Sequence, residues 1–209
     1  MKENKENPRA MEAMDIEEIV RAYYPPGSEA EAILLAHGEA VAAKAEEVAR
    51  RFPEIETDFN FLHGAAMLHD IGMIKTDIPS LGCFGGSPYI HHGIIGRRFL
   101  EDLGWFRHAL VCERHFLTGV SRADIVREAM DLPYRDMLPE SWEEKLICYA
   151  DCFYSKKPGR LKEEKSPERV LNKLPDFCKP VFRQWLVEFR EPGIPESFIL
   201  SRDAVSADS

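Results

Sequence analysis

The chain has 209 residues, 44% hydrophobic and 30% charged, a balance that supports a packed core and excludes wholesale disorder. Its 27 basic and 36 acidic residues leave a formal charge of −9. That charge argues against a polynucleotide partner and requires any phosphate site to bring its own positive charge.

Residues 1–14 are polar and read as a disordered N-terminus without a secretory signal. Asp15 opens a short amphipathic helix with Ile16, Ile19, Val20 and Tyr23 at helical spacing, ended by Pro25-Pro26-Gly27. Ser28 with Glu31 has the form of a capping box and starts a long Ala-rich helix that stops before Pro53. Asp58 caps a third helix, expected to run to Ile71 with Gly72 as terminator. Residues 75–89 form a Gly/Pro-rich loop. A fourth helix covers Ile90 to Leu103, and a fifth covers Trp105 to Phe116. Ser121 with Asp124 opens a short sixth, and Ser141 with Glu144 opens one that continues to Tyr154. The basic run Lys156-Lys157-Pro158-Gly159-Arg160 follows. Ser166-Pro167 has the cap-plus-proline form of another start. Val181, Phe182, Trp185, Leu186 and Phe189 mark a last amphipathic helix, and residues 201–209 read as a flexible tail. No β-alternation persists. The expected fold is all-α, a compact multi-helix bundle forming one domain over residues 15–200.

The five cysteines include no CxxC pair, so neither a zinc knuckle nor a redox dithiol is signalled, and a reducing compartment is expected. Cys148 and Cys152 read as small core residues. No stretch approaches the roughly 18 apolar residues of a membrane span. The expectation is a cytoplasmic protein with no membrane partner. No pattern specifies an oligomeric state.

Certain polar side chains fall on apolar helical stripes. His37 lies between Leu34 and Val41, and His69 follows Leu62, Ala65 and Ala66. His115 follows Val111 and Cys112, and Asp151 follows Ile147. His92 begins the stripe Ile95–Phe99–Leu103, whereas His91 faces a more mixed surface. Any one of these reads as a satisfied core residue. Together with Asp70 they make six positions on five predicted helices, the pattern that a first-row metal site in a bundle demands.

The ordered set His37, His69-Asp70, His92, His115, Asp151 resembles the HD-domain metal-dependent phosphohydrolase superfamily. Ala66-Met67-Leu68-His69-Asp70-Ile71-Gly72 is similar to its HDIG motif, and Tyr149-Ala150-Asp151 to its closing aspartate motif. The resemblance covers residues 30–156. It implies an HD-domain bundle and a dinuclear centre bridged by Asp70. His37, His69 and Asp151 would complete one ion's shell, and His92 and His115 the other's. All the donors are N or O, which suits divalent Fe, Mn, Co, Ni or Zn without choosing between them. The implied reaction is hydrolysis of a phosphoester or phosphoanhydride bond of a small nucleotide by a metal-bound hydroxide, with Asp70 also orienting the nucleophile.

Substrate phosphates would need further cations. Lys75 is the first candidate, although it stands two positions beyond the lysine of HDIGK-type relatives. Arg114 and Lys156 are the others, and His91 is a substitute for His92. By placement alone, Leu81–Gly86 reads as a lid, with Phe84 and Tyr89 able to stack on a base. Two competing readings use the same residues: an HD-fold di-iron oxygenase, and a non-catalytic nucleotide-binding module.

Overall fold

In the computed structural model, residues 16–194 are described. The expected disordered start at 1–14, the helix-opening Asp15 and the flexible tail at 201–209 lie outside them. The chain is mostly helical, as expected. Its helices are α1 (Ile16–Tyr23), α2 (Glu29–Arg50), α3 (Phe59–Leu68), α4 (His92–Asp102) and α5 (Phe106–Arg114), then α6 (Arg122–Arg127), α7 (Trp142–Cys152), α8 (Pro167–Leu171) and α9 (Lys179–Glu188). No described helix is long and apolar enough to cross a membrane.

Local chemistry sets most helix starts. The hydroxyls of Ser28, Ser121, Ser141 and Ser166 and the carboxylate of Asp58 each accept a hydrogen bond from the backbone N–H three residues on. At Ser121 and Ser141 the acidic residue reaches back to close a full capping box. At Ser28 it does not: Glu31 accepts from the Gly27 N–H instead.

Several boundaries differ from expectation. Helix α4 starts at His92 and α5 stops at Arg114, each two residues short of the expected bound. Three further differences bear on the site. First, α3 ends at Leu68, and a 3₁₀ turn, Ile71–Lys75, follows. Gly72 therefore terminates nothing. Its role is close approach: a Cβ there would lie 2.1 Å from the His92 carbonyl oxygen and 2.3 Å from the Gly96 nitrogen. Second, α7 stops at Cys152, two residues before Tyr154. Third, residues 75–89 are not structureless. Strands β1 (Asp77–Ile78) and β2 (Cys83–Phe84) pair antiparallel, with Asp77 opposite Phe84. Gly82, at φ 68°, makes the turn and packs on Ala30 at the start of α2. The Leu81–Gly86 segment is a brace on α2, and Phe84 points to solvent at 78% exposure.

Among the described residues the buried apolar side chains form three clusters, a small one around Val120, Ile125 and Met137 and two larger ones that frame the site. One joins Val41, Ala45, Ala65, Ala66, Val111, Ile147, Tyr149 and Phe182. The other joins Val20, Tyr24, Leu34, Leu68, Ile71, Leu100 and Cys112. Single helices cross from one to the other. On α2 the crossing falls between Leu34 and Val41, where His37 sits; on α5 it falls between Val111 and Cys112, just before His115. The polar residues of interest thus occupy the seam between two cores.

Candidate metal centre

The 3₁₀ turn and four helices deliver the six residues to one point. His37 comes from the middle of α2. His69 and Asp70 occupy the break between α3 and the 3₁₀ turn, and His92 begins α4. His115 caps the end of α5, and Asp151 lies in the last turn of α7. His37, His69, Asp70, His92 and His115 are buried.

Asp70 is the centre of the arrangement. Its Oδ2 lies 3.1 Å from His69 Nε2 and 3.4 Å from His37 Nε2. Its Oδ1 lies 3.3 Å from His92 Nε2 and 3.4 Å from His115 Nε2. Asp151 Oδ1 completes the first group, 2.9 Å from His37 Nε2 and 3.6 Å from His69 Nε2. Two donor groups able to hold a metal ion result: His37, His69, Asp70 and Asp151, and Asp70, His92 and His115.

Three of the imidazoles are aimed by the same device. His69 Nδ1 donates to the Ala66 carbonyl at 2.6 Å, His92 Nδ1 to Tyr89 at 2.7 Å, and His115 Nδ1 to Cys112 at 2.8 Å. Each partner is the carbonyl three residues back. A carbonyl oxygen at Nδ1 requires N–H there, so the neutral ring directs an Nε2 lone pair inward. His92 Nε2 and His115 Nε2 consequently face each other at 3.0 Å. Two lone pairs at that distance repel unless a proton or a metal ion stands between them. Both Asp70 oxygens and His69 Nε2 are buried without a hydrogen bond. Unpaired buried polar atoms in this number are costly. The nitrogen and oxygen donor set fits a divalent first-row transition ion, and the helical frame around it is compatible with an HD-type site.

The electrostatics agree. Burial resists ionisation of Asp70, yet Lys156 and the His69 imidazole hold its carboxyl well below the usual carboxylate range. Asp151 is depressed likewise, against burial, by Lys156 and His37. Burial and the Lys156 charge push His37 down to about 4, and burial pushes His92 down to about 3. His69 goes the other way: burial is outweighed by Asp70 and Asp151, which lift it to about 10. His69 is thus the ring on which the two carboxylates favour a proton, and a metal ion at its Nε2 would replace that proton.

The three phosphate candidates separate. Lys156 enters the cluster, with Nζ 2.7 Å from Asp70 Oδ2, outside hydrogen-bond geometry, and 3.8 Å from Asp151 Oδ1. Lys75 does not: it is exposed at the end of the 3₁₀ turn and lines no part of the adjoining cavity. The two residues inserted after Gly72 carry it most of a turn away from the Asp70 side. Arg114 is also turned away, held by Glu144 at 3.0 Å and Glu140 at 3.1 Å. His91 is no substitute for His92, because its Nε2 donates to the Asp131 carbonyl at 2.8 Å.

A cavity of about 240 Å³ opens beside His92, His115 and Asp151. Phe116, Leu117, Val170 and Leu174 form its apolar wall, and Lys156, Lys165 and Lys173 line the rest. Tyr89 lines it too, but its ring stacks on His92, with centroids 4.5 Å apart. That face is therefore closed to a base. Cys152 packs against the core, as expected, and also lines the cavity. Lys165 and Lys173 were not singled out from sequence. The signal was there: residues 155–173 hold seven basic and three acidic side chains, a local excess of +4 in a chain of −9.

No family model matches the chain. No solved structure matches it. An uncharacterized protein of Methanocaldococcus jannaschii is 32% identical over 97 residues, covering 46% of this chain and 50% of that protein. The tRNA (cytidine(56)-2'-O)-methyltransferase of Picrophilus torridus is 29% identical over 127 residues, covering 60% of this chain and 33% of that enzyme. The chain thus spans half or less of these curated relatives.

Proposed function

We propose that this chain is a single HD-type domain acting as a metal-dependent phosphohydrolase. It would cleave a phosphoester or phosphoanhydride bond of a small nucleotide. The observation that carries the reading is the division of Asp70: one carboxylate oxygen faces His37 and His69, the other His92 and His115. A carboxylate shared in this way suits a bridge between two cations.

His37, His69, Asp70 and Asp151 would hold one ion, and Asp70, His92 and His115 the other. When bound, such a pair supplies Lewis acidity and a water molecule ionised near neutral pH. The chain's own residues do the rest. The Ala66, Tyr89 and Cys112 carbonyls keep three imidazoles in the tautomer that points Nε2 inward. Asp70 orients the attacking water. Lys156, 15% exposed, reaches from the cavity wall to the Asp70 edge, where its ammonium would hold a phosphoryl oxygen of the substrate. Phe116, Leu117, Val170 and Leu174 would exclude bulk water from one side of the substrate. A cavity of about 240 Å³ suits a small phosphorylated molecule and has no room for a nucleic acid duplex.

The methyl transfer named for the Picrophilus relative belongs to an enzyme of which the chain matches only 33%. The buried His/Asp cluster supports metal chemistry instead. Metal analysis of anaerobically purified protein, followed by a broad phosphate-ester panel, tests the proposal. Two ions per chain and turnover abolished by Asp70→Ala are expected. Full metal loading with no turnover on any ester or anhydride would overturn it.

A further inference from the structure

Resting on the phosphohydrolase reading, we infer a second anion subsite, separate from the metal centre, that selects substrates with a second phosphoryl group away from the one attacked. The cavity beside the metal centre shares Lys165 and Lys173 with a neighbouring depression. That depression is lined by Ser155, Lys157, Arg160, Glu163 and Arg169 besides the two shared lysines. Five cations there face one carboxylate. Glu163 is already engaged by both Arg160, at 3.6 Å, and Arg169, at 2.7 Å. Lys157 and Lys173 form no salt bridge with a described residue.

The chain holds this excess charge in place deliberately. The Lys165 N–H donates to the Phe153 carbonyl at 2.9 Å, closing the loop that begins after α7. Its ammonium donates to the carbonyls of Cys152, at 2.9 Å, and Tyr154. The basic segment is thereby folded back over the end of the helix that carries Asp151. Like charges gathered at one rim repel one another, and only an anion offsets that repulsion. Because Lys165 and Lys173 line both depressions, a ligand held by Lys156 at the inner end can extend past them to the outer one. The matching class is a polyphosphate chain or a doubly phosphorylated small molecule.

The test uses metal-loaded full-length protein and inorganic probes, so it does not depend on turnover. Calorimetric titration should show tripolyphosphate binding at least about tenfold tighter than orthophosphate. The double variant Arg160→Gln/Arg169→Gln, in which neither residue lines the inner cavity, should erase that preference while leaving metal content and orthophosphate affinity unchanged. The variant Lys157→Gln/Arg160→Gln, on an exposed loop, repeats the test without touching α8 and should reduce the preference. Equal affinity of the wild type for both probes would overturn the subsite, as would a preference that survives both variants. Tighter binding of a tRNA than of tripolyphosphate would overturn the small-ligand assignment. If the preference stands but no phosphate compound is hydrolysed, the subsite survives and the hydrolase reading fails.

Discussion

Lys156 Nζ lies 2.7 Å from Asp70 Oδ2, so an ammonium shares the carboxylate oxygen that His37 and His69 also face. A buried carboxylate without a countercharge is costly, and Lys156 supplies one. A metal ion would compete with it. Lys156→Met should lower the melting temperature of chelator-treated protein yet raise its affinity for Mn(II) or Zn(II). Turnover with metal bound should fall by about 10²-fold, the cost of losing one preorganised donor to a phosphoryl oxygen. Thermal denaturation with and without chelator, a competitive metal titration and steady-state kinetics read the three effects. A variant with unchanged metal affinity would separate Lys156 from the centre.

The shared position of Asp70 predicts unequal losses of metal. Asp70→Ala should lose both ions. His115→Ala should lose one and keep the ion held by His37, His69 and Asp151, because those residues form a donor group without it. Elemental analysis after gel filtration counts the ions directly. Equal losses in the two variants would argue against a divided centre.

Gly72→Ala should be severely destabilising although it adds only one methyl group. The added Cβ would meet backbone atoms of His92 and Gly96 at 2.1 and 2.3 Å, and backbone does not yield as a side-chain tip does. A loss of about 3 kcal/mol or more is expected, at the upper end for overpacking. The midpoint of urea unfolding measures it. Gly86→Ala, with open space around its Cβ, is the control and should change little.

Acid stability should depend on Glu191. Burial opposes its ionisation, but Lys44, the Tyr149 hydroxyl and Arg51 outweigh burial and depress its pKa below the ordinary 4.5. Lys44 is itself buried, 2.9 Å from Glu191. A carboxyl depressed on folding stabilises the fold fully above its unfolded-state value. That contribution disappears as pH falls through the folded-state value. The wild type should therefore lose stability progressively below about pH 4.5. Glu191→Gln should be less stable at pH 7 and show a shallower acid limb. Melting curves at a series of pH values decide it.

Helix starts were legible because they are short-range events. Ser121 with Asp124 and Ser141 with Glu144 close hydrogen bonds within one turn, and no other part of the molecule is needed. Gly72 misled for the opposite reason. After a helical run it reads as a terminator, whereas its constraint comes from α4, a separate element pressed against it.

The same division runs through the candidate site. The polar residues interrupting apolar stripes, His37, His69, His92, His115 and Asp151, were readable as a set because periodicity places them on inward faces, and Asp70 joins them as the neighbour of His69. Packing decided everything that depends on direction. It turned Lys156 inward and left Lys75 in solvent. It sent His91 to Asp131 and His92 to Asp70, and it gave each oxygen of Asp70 to a different pair of imidazoles. Residue type and spacing specify which groups a helix presents to the core. Only the meeting of five separate elements at one seam specifies the distances, a few tenths of an ångström apart, on which coordination and charge depend.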